Sequence, residues 1–127
     1  MPTITLLYAG ILGIISIILS AGVGKSRGAS GISIGLGEDK DLLVASRRHG
    51  NFVEYVPLAL ILMGLLEANG LSATAIHTFG AVLTFSRIAH PIGLKADAQS
   101  HPLRAAGAIG TFAITAIMSI WAIILFF

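Results

Sequence analysis

Four long apolar runs, at about 4–23, 42–67, 71–94 and 105–127, dominate the chain, and short polar segments separate them. Each run is close to the roughly 20 residues an α-helix needs to cross a hydrocarbon core of about 30 Å. The pattern predicts an all-α, integral membrane four-helix bundle that uses residues 1–127 as a single domain and leaves no soluble domain over. The segment 24–40, rich in Gly and Ser, is expected to be the only long irregular stretch. Asp39 or Asp41 is placed to cap the second helix, and Asn69-Gly70 to stop it.

Composition agrees with the pattern. The 127 residues are 55% hydrophobic and only 11% charged, with a mean hydropathy of +0.90, whereas a soluble domain carries about 25% charged residues. There is no cysteine. Disulfides, thiolate metal sites and a cysteine nucleophile are therefore excluded, so any sulfur chemistry must come from a bound small molecule. The first run is not preceded by a basic segment, since Lys25 and Arg27 follow it, and it reads as a retained helix and not as a signal peptide. Gly22-Val23-Gly24-Lys25-Ser26 looks like half a phosphate loop, but Leu19 stands where that motif needs its first glycine. Lys25 then reads as an interfacial anchor. A net charge of +2 with no basic stripe interleaved with aromatics excludes nucleic acid as a partner.

The positive residues fix an expected orientation. Lys25, Arg27, Lys40, Arg47 and Arg48 cluster at the first connection and Lys95 and Arg104 at the third, while the second, around Glu67-Ala68-Asn69-Gly70, has none. The positive-inside rule puts the first and third connections in the cytoplasm and both termini on the opposite side.

Charged side chains inside a membrane span are costly and mark candidate functional sites. In the second run Arg47, Asn51 and Glu54 are spaced by four and three residues and share one helix face. Their bland reading is a pairing that holds the bundle together. Arg48 falls off that face and reads as a snorkelling interfacial residue. The third run repeats the device with Arg87 and His90, followed by Pro91, which is expected to kink the helix. The fourth opens with His101-Pro102-Leu103-Arg104, so Arg47, Arg87 and Arg104 can converge at a similar depth. Guanidiniums grip carboxylates bidentately, and a carboxylate such as Glu54 suits an amine. The mixture fits a small zwitterion with more than one carboxylate, such as an amino acid or short peptide. An arginine beside a bound thiol would also favour the nucleophilic thiolate. His49, His90 and His101 lack a compact ligand spacing, so no metal is expected. His77 reads as a bundle histidine bonding a neighbouring helix, and Gly80, Ala81, Gly107 and Gly110 as close-packing positions.

The run Arg47-x-x-x-Asn51-x-x-Glu54-Tyr55-x-Pro57 resembles the second-helix signature of the MAPEG family, the membrane-associated proteins in eicosanoid and glutathione metabolism. The whole chain is most similar to its short bacterial members, through residues 48–57 and Phe85-Ser86-Arg87-Ile88-Ala89-His90. The resemblance implies a homotrimer in the bacterial inner membrane, with glutathione as co-substrate held between subunits near the cytoplasmic face. Carried over by position, Arg47, His49, Asn51, Glu54, Tyr55, Arg87 and His90 contact glutathione. Arg27 reaches it from the neighbouring subunit, and Arg104 holds the thiolate as the catalytic residue. The chain departs from the eicosanoid-forming members at His90 and Leu94, where those carry tyrosines; a histidine can still donate to a carboxylate and a leucine cannot. The expected function is a glutathione-dependent transferase or peroxidase acting on a lipophilic small molecule dissolved in membrane lipid. The alternatives are a small four-span transporter and a non-catalytic protein of the same fold. Such carriers place a membrane glutamate in the first helix, where this chain has no charge.

Overall fold

The computed structural model describes residues 1–98 and 100–127 and contains four α-helices: α1 (Thr3–Ser30), α2 (Lys40–Ala68), α3 (Ala73–Gly93) and α4 (Pro102–Ile124). They run up and down. Glu67, near the end of α2, bonds to the start of α1, and Arg48, near the start of α2, bonds to Leu94 at the end of α3. The end of α1, the start of α2, the end of α3 and the start of α4 therefore gather at one end of the bundle, here termed the basic end. α2 and α3 are the central pair and each packs on all the other helices, whereas α1 and α4 lie on opposite flanks without touching.

The interior is a continuous cluster of Leu12, Phe52, Val56, Ala59, Met63, Leu66, Ile76, Phe79, Leu83, Ile114 and Met118. Much apolar surface also faces outward, including Leu6, Ile14, Ile17 and Ile18 on α1, Ile61 on α2, Phe85 on α3 and Ile109 and Ile120 on α4. Patches of that extent are a liability in water and are ordinary in lipid. By length and composition, α1, α2 and α4 are able to cross a membrane. α3 is not among them, in contrast to the four spans expected from the sequence. Its polar load explains the difference: Ser86, Arg87 and His90 are all buried, turned inward against α2 and α4. Packed against the other three helices on one side, α3 hides this polar load and keeps Phe85, Ile88 and Ile92 exposed on the other.

Inside lipid there is little hydrophobic drive between helices, so close packing and polar contacts hold them together. Small residues mark those contacts. A side-chain carbon on Gly107 would come within 2.6 Å of the Ser86 carbonyl oxygen and 2.7 Å of the His90 backbone nitrogen, so α3 and α4 touch backbone to backbone there. Gly80 leaves room for the Tyr8 ring of α1, whose hydroxyl bonds His77 at 3.2 Å, as a histidine bridging two helices should.

Helix ends follow local chemistry. Asp39, and not Asp41, is the N-cap of α2 and accepts from the Leu42 N–H at 2.7 Å. Ser72 caps α3, and His101 caps α4 through its ring nitrogen, with Pro102 in the first turn. The first connection is shorter than expected, because α1 stays helical through Ser30 and leaves only 31–39 irregular. Propagating an existing helix costs little even across Gly24 and Gly28, since each added residue gains a backbone bond. The helix stops where Gly31 adopts a left-handed conformation, φ 69°, and its N–H returns to the Arg27 carbonyl. Pro91 lies inside α3, two residues before the helix ends at Gly93.

Candidate functional site

The polar residues of α2 divide into two groups. Arg47 and Glu54 form an ion pair at 3.4 Å, lying over Gly50. Both side chains are about half exposed, 54% and 47%, so water or a ligand reaches the pair, and such exposed pairs hold little energy of their own. Asn51, between them in sequence, points inward. Its Oδ1 accepts from Arg87 Nη1 at 2.9 Å, while Arg87 Nη2 donates to the Gly107 carbonyl at 3.1 Å. Thr111 donates to the same carbonyl at 2.8 Å.

Arg87 is the unusual residue. It is only 2% exposed, and its two hydrogen-bond partners are neutral. Its Nε is buried with no partner, and among the described residues the Arg47–Glu54 pair is the only ion pair. A buried charge normally has a counter-ion, since the cost of taking it out of water is several kcal/mol. The cluster formed by Arg47, Glu54 and Arg87 carries two positive charges against one negative, and the deepest positive charge lacks an opposite.

Other expected residues gather around this point to different degrees. Tyr55 lies within electrostatic range of Arg87 and stacks edge-on against Phe112 of α4, with centroids 5.2 Å apart. His90 is buried and within range of both Arg87 and Arg104. Arg104 begins α4, with its backbone packed on Gly93 and its side chain exposed at the basic end. His49 is half-buried and makes no side-chain hydrogen bond among the described residues. Arg27 stands apart within the subunit: its guanidinium folds back on its own connection and donates to the carbonyls of Ile32, Ser33 and Gly35.

Two residues do what the sequence did not announce. Arg48 is not a snorkelling side chain; its Nε and Nη2 both donate to the Leu94 carbonyl, at 3.2 and 2.8 Å. Leu94 follows the last turn of α3, where carbonyls lack intrahelical partners, so Arg48 ties the end of α3 to the start of α2. At the opposite end, Glu67 accepts from the backbone N–H groups of Ile4 and Thr5 at 2.8 and 2.7 Å and caps α1 from another helix.

The sequence profile of the MAPEG family matches residues 5–124, nearly the whole chain, including every residue of this cluster. The chain belongs to the MAPEG family. It is 34% identical over 90 residues to the inner membrane protein YecN of Escherichia coli K12, an alignment covering 71% of this chain and 69% of that protein. The YecN of Escherichia coli O6:H1 matches equally. No solved structure matches. Membership fits a helical membrane protein, and the name of the relative says nothing of chemistry.

Proposed function

We propose that this MAPEG protein is a glutathione-dependent transferase or peroxidase of the bacterial inner membrane, working as a homotrimer on lipophilic electrophiles or hydroperoxides. The observation that carries the reading is Arg87: a wholly buried guanidinium held by neutral acceptors, with an unpartnered Nε and no carboxylate of its own. An anionic ligand supplies the missing charge. Glutathione offers two carboxylates, one ammonium and a thiol, and the residues fit each. Arg47 and Glu54, paired with one another at only 3.4 Å, separate to take a carboxylate and the ammonium. Asn51, Tyr55 and His90 add hydrogen-bonding groups beside Arg87, and His49 adds one more polar contact from α2. Arg27 contributes from the adjacent subunit once its loop carbonyls release it.

In this reading α3 also crosses the membrane, giving four crossings, with the basic end and the site toward the cytoplasm and both termini opposite. Arg104, exposed at the mouth of the site, holds the sulfur as thiolate by favouring its charge, and the proton leaves to water. The thiolate attacks the lipophilic electrophile that reaches it through the bilayer, forming a carbon–sulfur bond as the leaving group departs, or attacks the terminal oxygen of a hydroperoxide, breaking the O–O bond to release an alcohol and leave a glutathione sulfenic acid that a second glutathione converts to the disulfide and water. No covalent enzyme intermediate is involved.

The test is calorimetry of glutathione with the detergent-purified protein, alongside Arg47→Ala, with thiolate absorbance recorded on the same samples near neutral pH. Saturable binding, lost in the variant and accompanied by a thiolate signal, is expected. Absence of binding at millimolar glutathione overturns the reading. Leu94 favours a second reading, a binder without turnover, because it supplies no hydroxyl and its carbonyl is committed to Arg48. Binding with no thiolate absorbance would be its signature.

A further inference from the structure

A cleft of about 630 Å³ opens at the basic end between α1, α2 and the α3–α4 connection. None of Arg47, Asn51, Glu54, Tyr55, Arg87 or Arg104 lines it, so it is separate from the site above. Its walls are two helix faces in register. Gly22, Lys25, Ser26 and Ala29 come from α1 and Asp41, Val44, Ala45 and Arg48 from α2, each set spaced as one face of a helix. Lys95 and Asp97 close the third side.

The charges of the lining balance, with Lys25, Arg48 and Lys95 positive and Asp39, Asp41 and Asp97 negative. Asp39 is committed to capping α2 and Arg48 to the Leu94 carbonyl. That leaves Lys25, Lys95, Asp41 and Asp97, and no two of these four form an ion pair. Two cations and two anions thus face one cavity without neutralising each other. The volume is within the range of small-ligand sites, about 300–1,000 Å³.

The outer wall continues toward the membrane. Ile11, Ile14, Ile18, Gly22 and Lys25 follow one another by three or four residues along a single face of α1, and the three isoleucines are exposed. An apolar strip therefore leads directly to the charged cleft. We infer that the cleft binds the headgroup of a zwitterionic phospholipid bearing a phosphate and a primary ammonium. Lys25 and Lys95 hold the phosphate, Asp41 and Asp97 hold the ammonium, and an acyl chain lies along Ile11, Ile14 and Ile18. The balanced lining selects against a purely anionic headgroup, which would meet two carboxylates with nothing to offer them.

The experiment is native mass spectrometry of the delipidated protein in detergent, offered equal amounts of phosphatidylethanolamine and phosphatidylglycerol with matched chains. The wild-type protein retains one phosphatidylethanolamine per subunit in preference to phosphatidylglycerol. The double variant Lys25→Gln/Lys95→Gln lowers that retention by about fivefold, the size expected of two exposed ion pairs. Asp41→Asn/Asp97→Asn removes the preference between the two lipids. Unchanged melting temperatures confirm that the variants are folded, and unchanged glutathione calorimetry keeps the result independent of the proposed function. The inference is overturned if the wild type shows no preference or retains neither lipid, if either double variant behaves as wild type, or if water-soluble glycerophosphoethanolamine displaces the lipid at millimolar concentration.

Discussion

At the level of single residues, the bundle is organised around one guanidinium. Arg87 has given up water for Asn51 Oδ1 and the Gly107 carbonyl, and a hydrogen bond to a charged group contributes roughly 1.5–3 kcal/mol. Asn51→Leu should therefore destabilise the protein by about 2 kcal/mol, as read by denaturation in detergent, because it leaves a buried charge with fewer partners. Arg87→Met/Asn51→Leu should recover most of that loss, since an apolar pair of similar volume removes the charge as well. If the two effects simply added, the coupling between these residues would be refuted. Arg104→Ala should leave stability and glutathione binding nearly intact while lowering conjugation about 10²–10³-fold, the usual cost of removing a group that stabilises a reacting anion. The sequence made the residue types legible: charge in an apolar run is visible without coordinates, and so is the spacing of Arg47, Asn51 and Glu54. It did not reveal that Asn51 turns away from that ion pair toward another helix. The Arg48 bond to the Leu94 carbonyl was invisible for a different reason. Any residue offers a carbonyl, so a side chain that binds backbone across 46 positions leaves no compositional trace.

At the level of helices, the ends do much of the joining. α1 begins at Thr3 without a side-chain cap of its own, and the Glu67 carboxylate serves instead. A carboxylate at a helix N-terminus satisfies orphan donors and meets the positive end of the macrodipole, together about 1–2 kcal/mol. Glu67→Ala should accelerate amide exchange at Ile4 and Thr5 and leave the middle of α1 unchanged; an unchanged rate at both amides would show that water replaces the carboxylate without cost. The close approach of α3 and α4 makes a second, opposite-signed pair of substitutions. Gly107→Ala puts a methyl group within 2.6 Å of the Ser86 carbonyl and should destabilise the protein, while Gly10→Ala meets nothing within 4 Å and should be neutral or stabilising. Comparing their melting temperatures checks both. Asp39 was readable as one of two candidate caps because the cap residue sits beside the helix it serves. Glu67 was not, because the Ile4 N–H it accepts from lies sixty-three positions earlier. The length of α1 escaped the apolar pattern for a related reason: the pattern reports where lipid ends, and the helix continues beyond that point to Ser30.

For the whole molecule, the open matter is how a helix with buried Ser86, Arg87 and His90 is accommodated, given that α1, α2 and α4 alone are apolar enough to cross unaided. The packing supplies the mechanism. α3 touches every other helix and turns its ionic groups toward α2 and α4, so its neighbours take the place of solvent for the polar side chains. On that argument α3 crosses, and the cysteine-free sequence makes the crossing easy to test. Single cysteines at Ser33, Ala73 and Ala96, all exposed, give each variant one reactive thiol. With a membrane-impermeant maleimide, Ser33→Cys and Ala96→Cys should label only in inside-out vesicles and Ala73→Cys only in right-side-out ones. If Ala73→Cys and Ala96→Cys labelled from the same side, α3 would not cross. The basic end would then be divided between two compartments, or α4 would have to return from the wrong face, and neither is compatible with the Arg48 bond to Leu94 and the seat of Arg104 on Gly93. The reverse labelling of all three would keep the fold and invert it, placing Lys25, Lys95 and Arg104 outside against the bias that loop charge imposes on insertion. A glutathione site facing a compartment without abundant thiol would then lose its chemical rationale, so this labelling pattern bears on function as directly as on topology.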